Sequence, residues 1–376
     1  MSRPLDGMLV LDLGQIYQVP YCGLLLGFMG ARVLKIESPE GDIVRRRKRQ
    51  VEPYPLVMLN SNKESVVLDL KQPDGKALFL SLVRKADVVV ENFAVGVMDR
   101  LGLGWDVLQK ENPRLVYGSG TGFGLTGPYR DLPAMDLTIQ AMSGIMNATG
   151  FPDRAPVKAG PAVCDFLGGV HLCAGILGAL VQRARTGRGQ FVEVAMLDAA
   201  IIALAMAPYN VYETSDGHVA IFTASDRHWE SITKVLGRED LLTNPDYATT
   251  PGRAARVEEI DAMVTTWTRA RTKNDVMAIM TEAHVPCAPV RTAAEVVADP
   301  HLNARGVWRD IEHPRRGKTK VPISPIRLHG AEPGAVARPA PLLGQDTDRV
   351  LAELLGLSAD ELGTLHAAGV IEPVKT

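Results

Sequence analysis

Short apolar runs alternate with helical patterns through the first half of the chain, and this alternation constrains the fold more than any other feature. The runs are rich in Val, Leu and Ile along their whole length, which is typical of strands buried on both faces of a parallel sheet. The predicted strands span residues 8–13, 33–36, 65–70, 87–90, 114–117 and 190–195. The predicted helices span residues 20–29, 74–84, 96–101, 166–185 and 197–205. We therefore predict an α/β fold in which helices cover a parallel sheet.

The pattern changes after Pro208. Residues 210–223 predict a strand, a turn and a second strand, and helical spacing of apolar residues follows near 229–236, 260–270 and 274–282. A chain of 376 residues is long enough for two domains. We predict a smaller α+β domain at residues 209–308 and a last helix at 346–355.

Composition and charge argue against several classes of protein. The net charge is −2 and aromatic residues make up 5% of the chain, so we expect no nucleic-acid partner. The four cysteines, Cys22, Cys164, Cys173 and Cys287, show neither zinc-site nor disulfide spacing, so we expect no metal and a reducing, cytoplasmic location. The N-terminus lacks a signal-peptide pattern, and the apolar stretch 166–181 is shorter than a membrane span. We expect no membrane partner.

The loop after the first predicted strand argues against a dinucleotide site. Its sequence is GQIYQV at residues 14–19, without the spacing G-x-G-x-x-G, and bulky Tyr17 would obstruct a pyrophosphate. Glu37 lies about where a ribose-binding acid would be in a nicotinamide enzyme. The loop still follows the carboxyl end of a parallel strand, where ligands of α/β proteins bind. A nicotinamide oxidoreductase is therefore disfavoured, but a ligand at this loop is expected.

Asp165 directly precedes the predicted helix 166–185, and two interpretations are open. As an N-cap, its carboxylate would accept main-chain N–H groups of the helix. As a nucleophile, it would be held ionised by the positive helix end among apolar neighbours, and could attack a thioester. Gly168 and Gly169 would let a ligand approach the first turn closely.

Two other polar residues, His171 and Asp136, have alternative roles. His171 lies in an apolar helical run, where a hydrogen-bonded core histidine is the expected role and a catalytic one the alternative. Asp136 is equally well interpreted as a second N-cap or as a site residue.

Six stretches of the sequence resemble the class III coenzyme A-transferase family, which includes formyl-CoA and carnitine CoA-transferases and α-methylacyl-CoA racemase. Their order and spacing cover nearly the whole chain. They are PLDGMLVLDL at residues 4–13, NK at 62–63 with LDLK at 68–71, ADVVVENF at 86–93, GTGFGLTGPYR at 120–130, TGRGQ at 186–190 and APLLGQDTD at 340–348.

The resemblance implies a fold and an assembly. It implies a large Rossmann-like domain with its parallel sheet built from both chain ends, plus a small domain, and two subunits threaded through each other as an interlocked homodimer. We place the large CoA-binding domain at residues 1–205 and 325–376, the small domain at 209–308 and a linker at 309–324.

The resemblance also implies a reaction. Asp165 would attack an acyl-CoA thioester, giving an acyl–enzyme anhydride and CoA thiolate, and would then carry CoA as an aspartyl thioester to an acceptor acid. The partners are therefore an acyl-CoA donor and a carboxylic acid acceptor, with coenzyme A as substrate and no metal. The residues at the family's CoA-contacting positions are Gln15, Ile16, Tyr17, Leu68, Lys71, Asn92, Phe93, Arg100, Met135 and Asp136.

Three departures from the family pattern keep alternatives open. Met135 stands where the racemase has a histidine, which favours transfer over racemisation because a thioether moves no proton. The connection from Ala205 to Asn210 is short and no glycine-rich shielding loop follows, which admits a non-catalytic CoA-binding subunit that works with a paralogue. Ser38 replaces a nucleotide-contacting arginine, and the basic run at residues 45–49 is either a solvated surface loop or a compensating phosphate contact.

Overall fold

The chain divides into two compact units, Met1–Ala205 with Gly306–Thr376, and Met206–Arg305. The structure, a computed structural model, describes residues 3–46, 51–150, 154–203, 210–221, 226–325 and 338–372. The predicted short connection between Ala205 and Asn210, and Arg47 to Arg49 of the basic run, lie outside the described residues.

A six-stranded parallel sheet forms the centre of the larger unit, as the apolar runs predict. The strands are β1 (Leu9–Asp12), β2 (Arg32–Glu37), β3 (Lys63–Val67), β4 (Val88–Glu91), β5 (Val116–Thr121) and β6 (Phe191–Ala195). Their order is β3-β2-β1-β4-β5-β6, and every pairing is parallel. The order reverses direction between β1 and β4, which is the Rossmann arrangement with its binding crevice at that point.

Helices cover both faces of this sheet. They are α1 (Gln18–Phe28), α2 (Ile43–Arg46), α3 (Tyr54–Leu59), α4 (Pro73–Val83), α5 (Val97–Arg100), α6 (Trp105–Glu111), α7 (Asp136–Ser143), α8 (Val163–Thr186) and α9 (Met196–Ala203). Val10 of β1 belongs to one core cluster and its neighbours Leu9 and Leu11 to another, since successive strand residues point to opposite faces. The first cluster contains apolar residues of α1 and α8.

The C-terminal part of the larger unit contributes no strand to this sheet among the described residues, so the prediction of a sheet built from both chain ends is wrong. Instead, two helices, α17 (Thr347–Leu355) and α18 (Ala359–Ala367), place Val350, Leu351 and Leu362 in the second core cluster. Residues 309–324, which we expected to link two domains, contain most of an antiparallel pair, β10 (Trp308–His313) and β11 (Gly317–Pro322).

The smaller unit has its own core. Its sheet has three strands, β7 (Asn210–Thr214), β8 (Gly217–Ile221) and β9 (Cys287–Pro289), each pairing antiparallel. Its helices are α10 (Asp226–Leu236), a 3₁₀ helix (Glu239–Leu242), α11 (Pro245–Ala248), α12 (Thr250–Ala255), α13 (Val257–Arg269), α14 (Lys273–Glu282), α15 (Ala293–Ala298) and α16 (Pro300–Ala304). Trp229, Val264 and Met280 fill the centre of the unit.

Helix α8 is longer than the sequence pattern predicts. It has 24 residues and is long and apolar enough to cross a membrane, the one described helix for which this holds. The apolar segment is therefore longer than the predicted stretch 166–181, and the expectation that it is too short for a membrane span is wrong. Half of its apolar window is buried inside the protein, and Leu172, Cys173 and Ile176 lie in the core against the sheet. A core helix of this kind meets the same length and composition criteria as a membrane span.

Candidate active site

Buried charged side chains of the sheet hold the loop between β1 and α1 in place. Lys63 Nζ donates to Asp12 Oδ2 at 2.6 Å and to the Pro20 carbonyl at 2.8 Å. Asp12 Oδ1 accepts the main-chain N–H of Gly14 at 2.7 Å, and Lys35 Nζ donates to the Gly14 carbonyl at 2.8 Å. Because both polar groups of Gly14 are bonded to buried side chains, the loop leaves the sheet in one defined direction.

The same loop is tied to the end of β4. The Gln15 N–H donates to Asn92 Oδ1 at 2.8 Å, and Asn92 Nδ2 donates to the Gln15 carbonyl at 2.9 Å. Ile16 follows with a φ of 66°, a left-handed conformation that is rare for a β-branched residue and is found more often at functional sites. Two of the residues predicted to contact CoA, Gln15 and Asn92, are thus hydrogen-bonded to each other, and the backbone of a third, Ile16, is strained.

A cavity of about 260 Å³ opens beside this loop, at the carboxyl ends of β1 to β4. Four of the predicted CoA residues line it: Gln15, Leu68, Lys71 and Phe93. The remaining lining residues are Leu13, Gly14, Lys35, Ile36, Glu37, Ser38, Glu40, Gly41, Asp42, Arg46, Asp69, Leu70, Val97 and Leu101. The cavity therefore lies where α/β proteins with this strand order bind ligands.

The two described arginines of the basic run, Arg45 and Arg46, have different roles. Arg45 is buried and donates to Glu37 at 2.8 Å and to Glu52 at 3.1 Å, so its guanidinium is committed to structural ion pairs. Arg46 is exposed and lines the cavity. The hypothesis that this run replaces the missing arginine at Ser38 is thus excluded for Arg45 and remains open for Arg46.

The Glu37 carboxylate is bound to Arg45 and is not free to contact a ligand. Burial acts to raise the pKa of Glu37, but the Arg45 guanidinium, Lys35 and a hydrogen bond from Ser65 outweigh it and lower this pKa to about 2. Both carboxylate oxygens accept bonds from Arg45. A ribose hydroxyl would have to displace a buried ion pair here, so Glu37 is poorly suited to bind one.

Asp165 lies inside α8, not before it. The helix begins at Val163 with Ala162 as N-cap, so the N-cap interpretation of Asp165 is wrong. The capping carboxylate comes from α7: Asp136 Oδ1 accepts the N–H of Cys164 at 2.8 Å and that of Asp165 at 3.2 Å. Gln140 Nε2 holds the other oxygen of Asp136 at 2.6 Å. Asp136 is thus both a cap, although of a different helix, and a neighbour of Asp165.

The Asp165 side chain is buried and poorly stabilised as an anion. The residue is 7% exposed. Burial, with a smaller contribution from the Asp136 charge, raises the pKa of Asp165 to about 7, against a lowering effect of the main-chain N–H of Gln18. We expected the helix end to hold this carboxylate ionised; burial outweighs that effect, because the helix N–H groups are bonded to Asp136 instead. At neutral pH the side chain is therefore balanced between acid and carboxylate.

The thiol beside Asp165 does not compete as a nucleophile. Burial, together with the Asp136 and Asp165 charges, raises the pKa of Cys164 to about 12. A thiol is reactive only as the thiolate. Within this turn the carboxyl group of Asp165, and not the thiol of Cys164, is thus the candidate nucleophile at neutral pH.

Helices α1 and α8 approach each other closely at this point. Phe166 stacks on Tyr17 with ring centroids 6.3 Å apart and meets the edge of Tyr21 at 4.9 Å. A Cβ atom at Gly169 would lie 2.5 Å from the Gln18 carbonyl oxygen. We expected Gly168 and Gly169 to admit a ligand; the space beside Gly169 is taken by α1.

The other predicted residues lie outside the cavity lining. Arg100 is exposed at the end of α5, and Met135 is 48% exposed as the N-cap of α7. His171 Nδ1 donates to the Leu167 carbonyl at 2.8 Å within α8, which is a local structural bond. Gln18 and Arg46 were not singled out individually from the sequence, because their positions depend on contacts between distant segments. Within the described ranges, no cluster of three metal-binding side chains occurs.

Comparison with known proteins identifies the family of this chain. The family model described as CoA-transferase family III matches residues 5–206 and 201–347. The formyl-CoA:oxalate CoA-transferase of Rhodopseudomonas palustris (strain HaA2) is 35% identical, over 99% of this chain and 98% of its own length. The succinyl-CoA–D-citramalate CoA-transferase of Chloroflexus aurantiacus is also 35% identical, over 98% of each chain.

Solved structures show the same fold. A CAIB/BAIF family protein from Brucella suis is 33% identical, with a TM-score of 0.80 over 94% of this chain and 100% of that chain. The Rv3272 protein of Mycobacterium tuberculosis is 28% identical, with a TM-score of 0.82 over 92% of this chain and 98% of its own. The resemblance inferred from six sequence stretches is confirmed, and the chain belongs to the family III CoA-transferases.

Proposed function

We propose that this enzyme moves CoA between an acyl-CoA thioester and a small carboxylic acid, with Asp165 as the covalent carrier. The proposal rests on the burial and the raised pKa of the Asp165 carboxyl group. It is 7% exposed, its pKa is raised to about 7, and its own helix end is already capped by Asp136. A carboxylate with so few donors and so little water is available to attack an acyl carbon.

The exchange needs four acyl-transfer steps at this side chain, each of which forms one bond and breaks another. An Asp165 oxygen attacks the thioester carbon, the C–S bond breaks, and an acyl anhydride and CoA thiolate result. The thiolate attacks the Asp165 carbonyl carbon, releasing the donor acid and leaving an aspartyl-CoA thioester. The acceptor carboxylate then attacks that thioester, which releases CoA thiolate and forms a second anhydride. The thiolate attacks the acceptor acyl carbon of this anhydride, which gives the product acyl-CoA and frees the Asp165 carboxylate. Exclusion of water from Asp165 protects the two anhydrides from hydrolysis.

The cavity at the sheet edge is the proposed site for the nucleotide part of CoA. Arg46 and Lys71 are its exposed cations and suit phosphate groups, while Leu68 and Phe93 offer apolar surface. The loop that starts at this cavity with Gln15 reaches Asp165 at Gln18. This continuity supports a path for the thioester arm of CoA from cavity to carboxylate.

For the carboxylic acid substrate we propose a chemical class and no single compound. The two named relatives carry oxalate and citramalate in their names, and both acids have two carboxyl groups. We therefore propose a small acid of one or two carboxyl groups, and a panel with formyl-CoA, succinyl-CoA and acetyl-CoA as donors would identify it by mass spectrometry.

The carrier role is tested by trapping. Enzyme mixed with acyl-CoA and quenched with hydroxylamine or borohydride is expected to be modified at Asp165, and Asp165→Asn is expected to lose transfer while still binding CoA. Asp106→Asn is the matched control, because Asp106 is an exposed aspartate in the first turn of α6. Continued exchange without modification of Asp165, or near-normal turnover of freshly prepared Asp165→Asn, would reject the role.

The same assays separate the alternatives. A racemase would bring solvent deuterium to the α-carbon without an acceptor acid, and a non-catalytic subunit would bind CoA but turn over only with a paralogue. We also propose an interlocked homodimer, on the family resemblance. Light scattering on the purified chain is expected to give twice the monomer mass, and a monomeric active enzyme would contradict this assembly.

A further inference from the structure

The Gln18 side chain is a buried donor without an acceptor. The residue is 2% exposed at the start of α1, and none of the described residues accepts a hydrogen bond from Nε2. Buried polar groups nearly always have a partner, so an unpaired one calls for a specific explanation. The donor is also not part of the buried hydrogen bonds under the loop, which Lys63, Asp12 and Lys35 form.

Two glycines make room for this amide. A Cβ atom at Gly168 of α8 would lie 2.7 Å from Gln18 Nε2, and one at Gly120 of β5 would lie 2.7 Å from Gln18 Oε1. Any side chain at either position would displace the amide. The Gln18 amide is therefore enclosed between strand β5 and the first turns of α8.

The amide is enclosed on the same side of α8 as Asp165. Residues three apart on a helix are neighbours on one face, about 5–6 Å apart between Cβ positions, and Gly168 is three residues after Asp165. The main-chain N–H of Gln18 already faces the Asp165 carboxylate. Gln18 thus places its main-chain donor and its side-chain donor on this side of α8, and the side-chain donor has no acceptor among the described residues.

We propose that Gln18 Nε2 donates a hydrogen bond to the acyl carbonyl oxygen while Asp165 attacks the thioester, an inference that rests on the proposed carrier role of Asp165. As the Asp165 oxygen bonds to the acyl carbon, the π electrons of the carbonyl move onto its oxygen. When the C–S bond breaks and CoA thiolate leaves, the carbonyl re-forms. No proton is transferred, so the donor stabilises the negative oxygen without losing its hydrogen.

A donor that is unpaired before the reaction is suited to this role. It gives up no existing bond when the oxyanion forms, and it is held in place without help from the substrate. The competing explanation is structural: Gln18 would only fill space or bind an internal water between α1 and α8. The two explanations differ in what removal of the donor does to stability and to chemistry.

The test uses the full-length enzyme and the variant Gln18→Met, which keeps chain length and removes the donor. We expect formation of the trapped Asp165 adduct in a single turnover to slow by about 100- to 1000-fold, the usual effect of losing one such donor. The dissociation constant for CoA is expected to stay within about two-fold, and the midpoint of thermal unfolding is expected not to fall, because an unpaired buried group has been removed. Gln182→Met is the matched control, an exposed glutamine on the same helix α8.

The role of Gln18 and the role of Asp165 are disproved by different results. An adduct that forms at the wild-type rate in Gln18→Met would overturn the role of Gln18 and leave that of Asp165 intact. Slower chemistry together with a lower unfolding midpoint and lost CoA binding would assign Gln18 a structural role instead. Absence of any adduct in the wild type would overturn both. If Gln18→Met does not fold, Gln18→Glu keeps the shape, and a wild-type adduct rate in that variant at pH 8 would likewise overturn the inference.

Discussion

The carboxylate of Asp136 accepts the main-chain N–H of Asp165 at 3.2 Å, so one aspartate caps the helix that carries the other. An aspartate in the first helical turn would ordinarily stabilise the helix end with its own charge. Here Asp136 takes that role from a neighbouring helix. Asp165 is thereby left buried, next to a like charge, with its carboxylate facing the start of α1.

The pH dependence of adduct formation should follow the ionisation of Asp165. Its pKa is raised to about 7, and only the carboxylate attacks, so the rate is expected to rise about tenfold per pH unit below 7 and to level above it. Asp136→Asn keeps a capping oxygen and removes the nearby charge, which should move the profile to lower pH. Single-turnover trapping between pH 5 and 8.5 measures both. A flat profile, or identical profiles, would contradict this assignment.

Asp165→Asn should make the protein more stable at alkaline pH. The folded-state pKa of about 7 lies above the ordinary value of 3.8, so the native state loses stability as pH rises from about 4 to 7. The neutral amide avoids this loss. With about 1.4 kcal/mol per pKa unit, we expect a gain of up to about 4 kcal/mol at pH 8 and a smaller one at pH 5.

Urea unfolding at the two pH values measures that gain, with Asp106→Asn as the exposed control. A variant that is equally stable at both, or less stable at pH 8, would show that Asp165 is not a buried, destabilised anion in the native state.

The buried ion pair between Lys63 and Asp12 should contribute strongly to the stability of the fold. Lys63→Met leaves the fully buried Asp12 carboxylate without its cation, and loss of one partner of such a pair costs about 3–5 kcal/mol. Asp12→Asn keeps the acceptor for Gly14, so the double variant should be more stable than Lys63→Met alone. A double-mutant cycle in urea measures the coupling, and additive effects would mean that the two charges do not interact.

Substitutions of the adjacent residues Arg45 and Arg46 should affect different properties, stability for Arg45 and acyl-CoA binding for Arg46. Arg46→Ala removes an exposed cation from the cavity and should raise the Km for acyl-CoA several-fold with little change in the free energy of unfolding. Arg45→Met leaves Glu37 and Glu52 buried without their partner and should lower that free energy by about 3–5 kcal/mol. Isothermal titration with CoA and chemical unfolding separate the two. Equal effects on binding would reject the division of roles.

The sequence predicted the sheet well because its signal is local. Apolar runs such as residues 87–90 form strands wherever helices can cover both faces, and β4 lies at Val88–Glu91. Sequence similarity also identified motifs whose physical reason appears only in three dimensions. Gly189 of the TGRGQ stretch is one case, because a Cβ atom there would lie 1.8 Å from the Leu115 carbonyl oxygen.

The site was harder to predict because its key relationships are long-range. Whether Asp165 caps its own helix depends on a carboxylate 29 residues away in the chain. The unpaired donor of Gln18 likewise depends on two glycines in distant elements, Gly120 and Gly168. Local propensity carries no information about such contacts, so the sequence alone marked Asp165 as a candidate but gave it the wrong structural alternative.

The short loop from Gly14 to Gln18 has a consequence for how this enzyme can change over evolution. Its first residues border the proposed nucleotide cavity, and its last faces the proposed covalent carrier. Inserting or deleting one amino acid there would change the position of the proposed nucleotide cavity relative to the proposed covalent carrier. New substrate preferences should therefore arise by altering other segments, while the length of this one stays constant among functional descendants.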